Sequence, residues 1–255
     1  MPLEIVTVPC LTDNYAFLAH DPETGETAVV DAPDSGPILA ALEERGWRAD
    51  VVILTHHHAD HVQGLADIMD AHHPKVAGAA ADAERLPALD IQLAEGDEIR
   101  IGAERGRVIE VPGHTRGHIA VHFPESDVAF TADSLMALGC GRVFEGTMDE
   151  MWASLSKLAA LPPETMLCSG HEYTLANGKF ALSVEPGNAH LISRMEETEK
   201  ARAEGRPTVP SRLGLELATN PFLRAASPEI RDSVGLPDAP DVEVFAELRR
   251  RKDNF

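Results

Sequence analysis

The heptapeptide Thr55-His56-His57-His58-Ala59-Asp60-His61 decides how this chain is read. Before it stands Val51-Val52-Ile53-Leu54, a short apolar run rich in β-branched residues, the pattern of a buried strand. After it, from Val62 to Met69, apolar residues recur at helical spacing. His56, His58, Asp60 and His61 are therefore expected on a tight strand-to-helix turn. Imidazoles and carboxylates at this density offer nothing to a core, where they are costly to bury. They suit a divalent metal, bound through neutral imidazole nitrogen and carboxylate oxygen. The competing reading is a solvated polar loop with adventitious metal affinity.

Composition bounds the class. A chain of 255 residues with 44% hydrophobic content has room for one large α/β domain and a smaller appendage around a sizeable core. No stretch approaches the ~20 consecutive apolar residues of a membrane span. The start, Met1-Pro2-Leu3-Glu4, lacks the basic and apolar regions of a secretory signal, so a cytoplasmic protein is expected. The three cysteines, Cys10, Cys140 and Cys168, lie far apart and form no Cys-x-x-Cys, which fits free thiols in a reducing compartment. A formal net charge of −20 argues against nucleic acid or an anionic membrane as partner. A monomer is expected.

Apolar runs and turn residues predict strands over residues 3–9, 15–19, 27–31, 75–79, 98–101, 107–111, 118–123, 128–131 and 164–169. Helices are expected over 35–45, capped by Ser35, from the ligand turn to about 71, and over 82–86. Met148, Met151, Trp152, Leu155 and Leu158 mark an amphipathic helix closed by Pro162-Pro163. Strands in meanders interspersed with helices point to a mixed-sheet α/β sandwich. Beyond Tyr173 no convincing strand follows, and helices are expected over 176–184, 188–204 and 241–252. The boundary is placed there, with 1–172 a metal-binding catalytic domain and 173–255 helical.

Three further candidate ligands each follow an apolar strand. They are His114 in Pro112-Gly113-His114-Thr115, Asp133 after Val128-Ala129-Phe130-Thr131, and His171 after Cys168-Ser169-Gly170. Taken singly each reads as a hydrogen-bonded loop residue. Taken with the 55–61 turn they form a set that can converge on one edge of a sheet. Seven donors exceed one tetrahedral ion and suit two ions ~3.5–4 Å apart that share a carboxylate.

This constellation resembles the metallo-β-lactamase superfamily, and within it the hydroxyacylglutathione hydrolase (glyoxalase II) family. The resemblance spans nearly the whole chain. It includes Thr12-Asp13-Asn14-Tyr15, Pro112-Gly113-His114-Thr115-Arg116-Gly117-His118, the segment from Gly139 to Thr147, Gly170-His171-Glu172-Tyr173-Thr174, Asn220-Pro221-Phe222 and the end from Arg249 to Phe255. It implies a four-layer αββα sandwich followed by a small helical, glutathione-binding domain. It implies one metal on His56, His58 and His114, a second on Asp60, His61 and His171, and Asp133 bridging. Zinc is the expected ion, with iron and manganese also compatible. It implies substrate contacts from Arg142, Phe144, Tyr173, Arg249 and Lys252. The implied reaction is hydrolysis of S-(2-hydroxyacyl)glutathione thioesters, such as S-D-lactoylglutathione, by a hydroxide bridging the two ions, in methylglyoxal detoxification, with Asp60 and Asp133 as the catalytic carboxylates. Phe144 stands where some members carry Tyr, and Ala132 where Gly usually precedes the bridging Asp.

The C-terminus makes its own physical case. A helical wheel places Arg249 and Lys252 within the buried stripe of Val242, Phe245 and Leu248, while Arg250 points away. Such charges either snorkel to solvent or face an anionic ligand, and glutathione carries two carboxylates. His57 is read as structural, His118 as a hydrogen-bonding buttress, and Cys140 and Ser134 as inert for want of a base. The alternatives are a mononuclear-iron persulfide dioxygenase of the same superfamily, a β-lactamase or nuclease, and a non-catalytic binding module.

Overall fold

Side chains alternate between two cores along each long strand, and this alternation builds the layers. The computed structural model describes all 255 residues. The first sheet runs in the order β1 (Glu4–Cys10), β2 (Asn14–His20), β3 (Thr27–Val30), β4 (Val51–Leu54), β5 (Lys75–Ala79) and β6 (Ile91–Leu93). Phe17, Val30 and Ile53 point to the inter-sheet core, while Leu18, Val29, Val52 and Leu54 point outward to helices. Those helices are α1 (Ser35–Arg45) and α3 (Leu65–His72), which bury Ile38, Leu42, Leu65 and Ile68 on the sheet. The four-residue α2 (Ala59–Val62) precedes α3, so the single helix expected from the ligand turn is broken at Gly64. A Cβ there would lie 2.7 Å from the Ser35 backbone nitrogen, so only glycine lets the turn approach α1. The cap of α1 is Asp34, whose side chain accepts from Gly36 N–H, not Ser35.

The second sheet pairs β14 (Ser211–Arg212), β13 (Met166–Ser169), β10 (Val128–Ala132), β9 (Ile119–Phe123), β8 (Glu104–Glu110) and β7 (Glu98–Ile101). Val121, Phe123 and Phe130 meet the first sheet, and Ala120, Ala129 and Leu167 face the outer helices. α4 (Met148–Ala159) opens with a Thr147/Glu150 capping box and lays Met151, Leu155 and Leu158 on that face. The order of layers is helix, sheet, sheet, helix, the four-layer sandwich expected. Residues 82–86 form no helix; only a 3₁₀ turn at Ala80–Asp82 stands there.

The C-terminal region holds α5 (Thr174–Val184), α6 (Ala189–Ala203), α7 (Leu213–Thr219), α8 (Pro228–Val234) and α9 (Asp241–Asp253). Sequence patterning misses α7 and α8, which are too short for a periodic stripe, and the two-residue β14, which exists only through its pairing with β13. A small hairpin of β11 (Leu135–Met136) and β12 (Gly139–Cys140) was also without a signal. In α9 the buried positions are Val244, Phe245, Leu248 and Arg249, so Val244 takes the place expected for Val242. No helix is long and apolar enough to cross a membrane.

Candidate metal centre

β3 and β4 run parallel, as do β10 and β13, and β8 aligns with β10 because both are antiparallel to β9. Their carboxyl ends open on one rim. Tyr15 N–H donates to Gly170 O at 2.8 Å, which sews the start of β2 to the loop after β13 and joins the two sheets at that rim. His56 and His58 leave β4, Asp60 and His61 lie in α2, and His114, Asp133 and His171 follow β8, β10 and β13.

All seven candidate ligands meet there. His56 Nε2 and His114 Nε2 each lie 3.1 Å from His58 Nδ1. His61 Nε2 is 3.4 Å from His171 Nε2, and Asp60 Oδ2 is 3.9 and 3.5 Å from those nitrogens. Asp133 stands between the two groups: Oδ1 is 3.6 Å from His61, and Oδ2 is 3.5 Å from His114 and 3.2 Å from His171.

Four of the five outward imidazole nitrogens are occupied. His56 Nδ1 donates to Thr55 Oγ1, which donates to Asp31 Oδ2. His61 Nδ1 donates to Asp31 Oδ2, His114 Nδ1 to Arg142 O, and His171 Nδ1 to Asp13 Oδ1. Asn14 Nδ2 donates to Asp60 Oδ2. With those protons committed, His56, His114, His61 and His171 present inward lone pairs, and those of His61 and His171, 3.4 Å apart, repel unless a cation or a proton lies between them. Asp133 Oδ1 is buried and has no hydrogen-bond partner. Donor set and orphaned oxygen both fit divalent metal.

The electrostatics agree. Burial, then the neighbouring imidazoles, pushes His56 and His58 below the ordinary histidine range, and burial does the same at His114 despite Asp133, which keeps these rings neutral. His61 is pushed up: burial opposes its charge, but Asp133 and Asp31 outweigh burial. The second group thus calls for positive charge, which a metal ion supplies as well as a proton does.

Asp31 and Asp13 each hold the outer nitrogen of a candidate ligand, a role that the sequence does not signal even for Asp13, which lies in the Thr12-Asp13-Asn14-Tyr15 motif. A carboxylate at a strand end is indistinguishable there from a loop residue. Asp31 and Ala132 both adopt positive φ, +58° and +40°. Ala132 is therefore strained where glycine would not be.

A cavity of about 480 Å³ opens over His58, Asp60, His114, Asp133 and His171. Arg142, Phe144, Tyr173, Arg249 and Lys252 also line it. Tyr173 stacks on His171 with centroids 4.7 Å apart. Phe144 is 61% exposed and leans on His114. Lys252 Nζ lies near the rings of Phe180 and Phe255 and makes no ion pair; burial, then Arg249 and Arg142, lowers its pKa. Arg249 is buried and committed: it donates to Cys140 O at 2.9 Å and to Asp253 Oδ1 at 3.0 and 2.8 Å. His57 bonds Asp82, and His118 stacks on His56 while its Nδ1 donates to Ile119 O. The Cys140 thiol is pushed up to about 11 by burial, so it is no nucleophile.

A double sheet with a histidine and carboxylate cluster on its carboxyl rim defines a divalent-metal-binding protein of the metallo-β-lactamase fold, and the "Metallo-beta-lactamase superfamily" model matches residues 14–171. The "Hydroxyacylglutathione hydrolase C-terminus" model matches residues 172–255. A curated hydroxyacylglutathione hydrolase of Cereibacter sphaeroides is 65% identical over 255 residues, 100% of both chains. One from Ruegeria pomeroyi is 62% identical with the same coverage. Among solved structures, a di-iron-bound form of TTHA1623 is similar with TM-score 0.63 and 25% identity, covering 86% of this chain and 100% of that one. The chain belongs to the hydroxyacylglutathione hydrolase family.

Proposed function

We propose that the chain hydrolyses S-(2-hydroxyacyl)glutathione thioesters, S-D-lactoylglutathione among them, to glutathione and a 2-hydroxy acid. The observation that carries the reading is a shared carboxylate, Asp133, between two three-ligand clusters that open on a cavity with unpaired cationic charge at Lys252. His56, His58 and His114 would hold one ion, and Asp60, His61 and His171 the other, with zinc the expected metal. Two divalent ions supply an activated water at neutral pH and Lewis acidity at the carbonyl oxygen. Asp60 and Asp133 fix the donors' geometry and hold acceptor oxygens toward the reacting water. Lys252 and Arg142 attract the glutathione carboxylates, while Tyr173 and Phe144 flank the tripeptide. The leaving thiol has a pKa of about 8.5, so it departs as thiolate without a general acid.

Residues 1–172 then form the catalytic unit and 173–255 the glutathione-binding unit of a cytoplasmic monomer. The mononuclear-iron dioxygenase reading is weaker, because the full-length relatives and the matching C-terminal family model are those of hydroxyacylglutathione hydrolases. The test is a thioester assay across several S-acylglutathiones with metal analysis on the same sample. Two ions per chain and release of free thiol without oxygen uptake are expected. One iron with oxygen uptake overturns the reading. Asp133→Ala should lose both activity and metal.

A further inference from the structure

Phe144 forms a wall of the cavity, yet neither it nor Val143 makes a hydrogen bond, and its ring is largely in solvent. Its position must be set by what brackets it. On one side Arg142 O is held by His114 Nδ1 at 2.8 Å. On the other side Glu145 is bound from three directions. Oε1 accepts from Arg85 Nη1 at 2.6 Å and lies 3.4 Å from His57 Nε2, and Oε2 accepts from Arg116 N–H at 2.9 Å. Arg85 is itself seated on Asp82, whose buried carboxylate also holds His57 Nδ1 at 2.9 Å. The next residue continues the docking: Gly146 N–H donates to Gly113 O at 3.1 Å, and a Cβ at Gly146 would come within 2.7 Å of Gly113 Cα.

We infer that Glu145, clasped by Arg85 and the Arg116 backbone, is a positioning residue for substrate binding, holding the Arg142–Phe144 segment over the metal-side wall of the cavity. This rests on the thioesterase reading above. The network reaches the ligand turn through His57 and the 112–118 loop through Arg116, so it aligns the substrate wall with both loops at once. None of its hydrogen bonds or ion pairs ends on one of the seven donors. Glu145 is also only partly buried, with a side chain 24% exposed, so removing its charge strands no buried group. A charge-assisted clasp of this kind contributes to order in the free enzyme, which lowers the cost of closing the wall on ligand.

The test uses Glu145→Ala and Glu145→Gln in the full-length, metal-loaded protein. For Glu145→Ala, KM for S-lactoylglutathione and the dissociation constant of glutathione should both rise about tenfold, with kcat and metal content within about twofold of wild type. Glu145→Gln keeps an acceptor for Arg116 N–H, so its KM should fall between the two. Unchanged KM in both variants overturns the proposal, as does a fall in kcat with KM fixed. A loss of metal would assign the network to the ligand turn instead and equally overturn it. If wild type itself fails to release thiol, the thioesterase reading has failed; glutathione affinity, measured directly, still decides the role of Glu145.

Discussion

Asp31 Oδ2 accepts the Nδ1 proton of His61 at 2.8 Å, in a pair with neither side chain more than 3% exposed. The same oxygen accepts from Thr55 Oγ1, which in turn orients His56. One carboxylate thereby orients a candidate ligand in each cluster. Asp31→Asn keeps the shape and tolerates the positive φ, but it offers one acceptor atom where two are used. Metal affinity should drop about 10–100-fold, read as metal retained after dialysis against a graded chelator series. Full retention at every chelator concentration would contradict the orienting role.

The convergence of the seven candidates was legible from the sequence, because the dense 55–61 turn gave the strand-end residues His114, Asp133 and His171 a common point to meet, which none of them signals alone. The orienting residues were not, because Asp31 and Asp13 acquire their roles only when β3 and the β1–β2 turn reach the same rim. Likewise the wheel placed Arg249 and Lys252 on the inner face of α9, and both do line the cavity. It could not reveal that Asp253 and the Cys140 carbonyl already engage one of them. The mixed-sheet sandwich followed from strands in meanders interspersed with helices and its four layers from the family resemblance, whereas α7, α8 and β14 are too short to leave a period.

That asymmetry between the two basic residues is measurable. Lys252→Ala removes a charge with no ion-pair partner, so its effect should fall on KM, which rises several-fold while Tm stays close to wild type. Arg249→Ala strips bonds from the Cys140 carbonyl and Asp253 and leaves a gap over Phe222, so it should also destabilise by about 2–4 kcal/mol. Equal Tm values for the two variants in thermal unfolding would refute the distinction.

Acid should weaken the clasp at Glu145. Its hydrogen bond from Arg85 comes first among the causes that hold the carboxyl down at about 2, from an ordinary 4.5. A carboxyl depressed in the folded state contributes stability above its unfolded pKa and loses it as pH falls through the folded value. The contribution is therefore complete above about pH 5 and disappears on descent toward pH 2. Glu145→Gln should flatten the dependence of stability on pH in that window alone, followed by urea unfolding from pH 6 downward. Parallel curves for the two proteins would refute it.

Phe130 fills the centre of the inter-sheet core, tilted against Phe17 and edge-on to Phe123 at centroid separations of 5.9 and 6.1 Å. Three residues further on, its strand delivers Asp133. Phe130→Ala should cost about 3–5 kcal/mol in stability, read by urea unfolding, through lost burial and the cavity left between sheets.

Ala132 links that strand to the shared carboxylate through a backbone at φ +40°. A Cβ in the left-handed region costs roughly 1–2 kcal/mol, whereas glycine adopts it freely but loses more chain entropy on folding, about 0.5–1 kcal/mol. The first effect exceeds the second, so Ala132→Gly should stabilise by up to about 1 kcal/mol. Because the turn is already held by the Ser134 N–H bond to Thr131 O at 3.0 Å and the Gly170 N–H bond to Ala132 O at 3.1 Å, metal content and kcat should stay at wild-type values. A lower Tm for Ala132→Gly would mean that the neighbouring bonds, and not the side chain, set this backbone, and that Ala132 bears no strain.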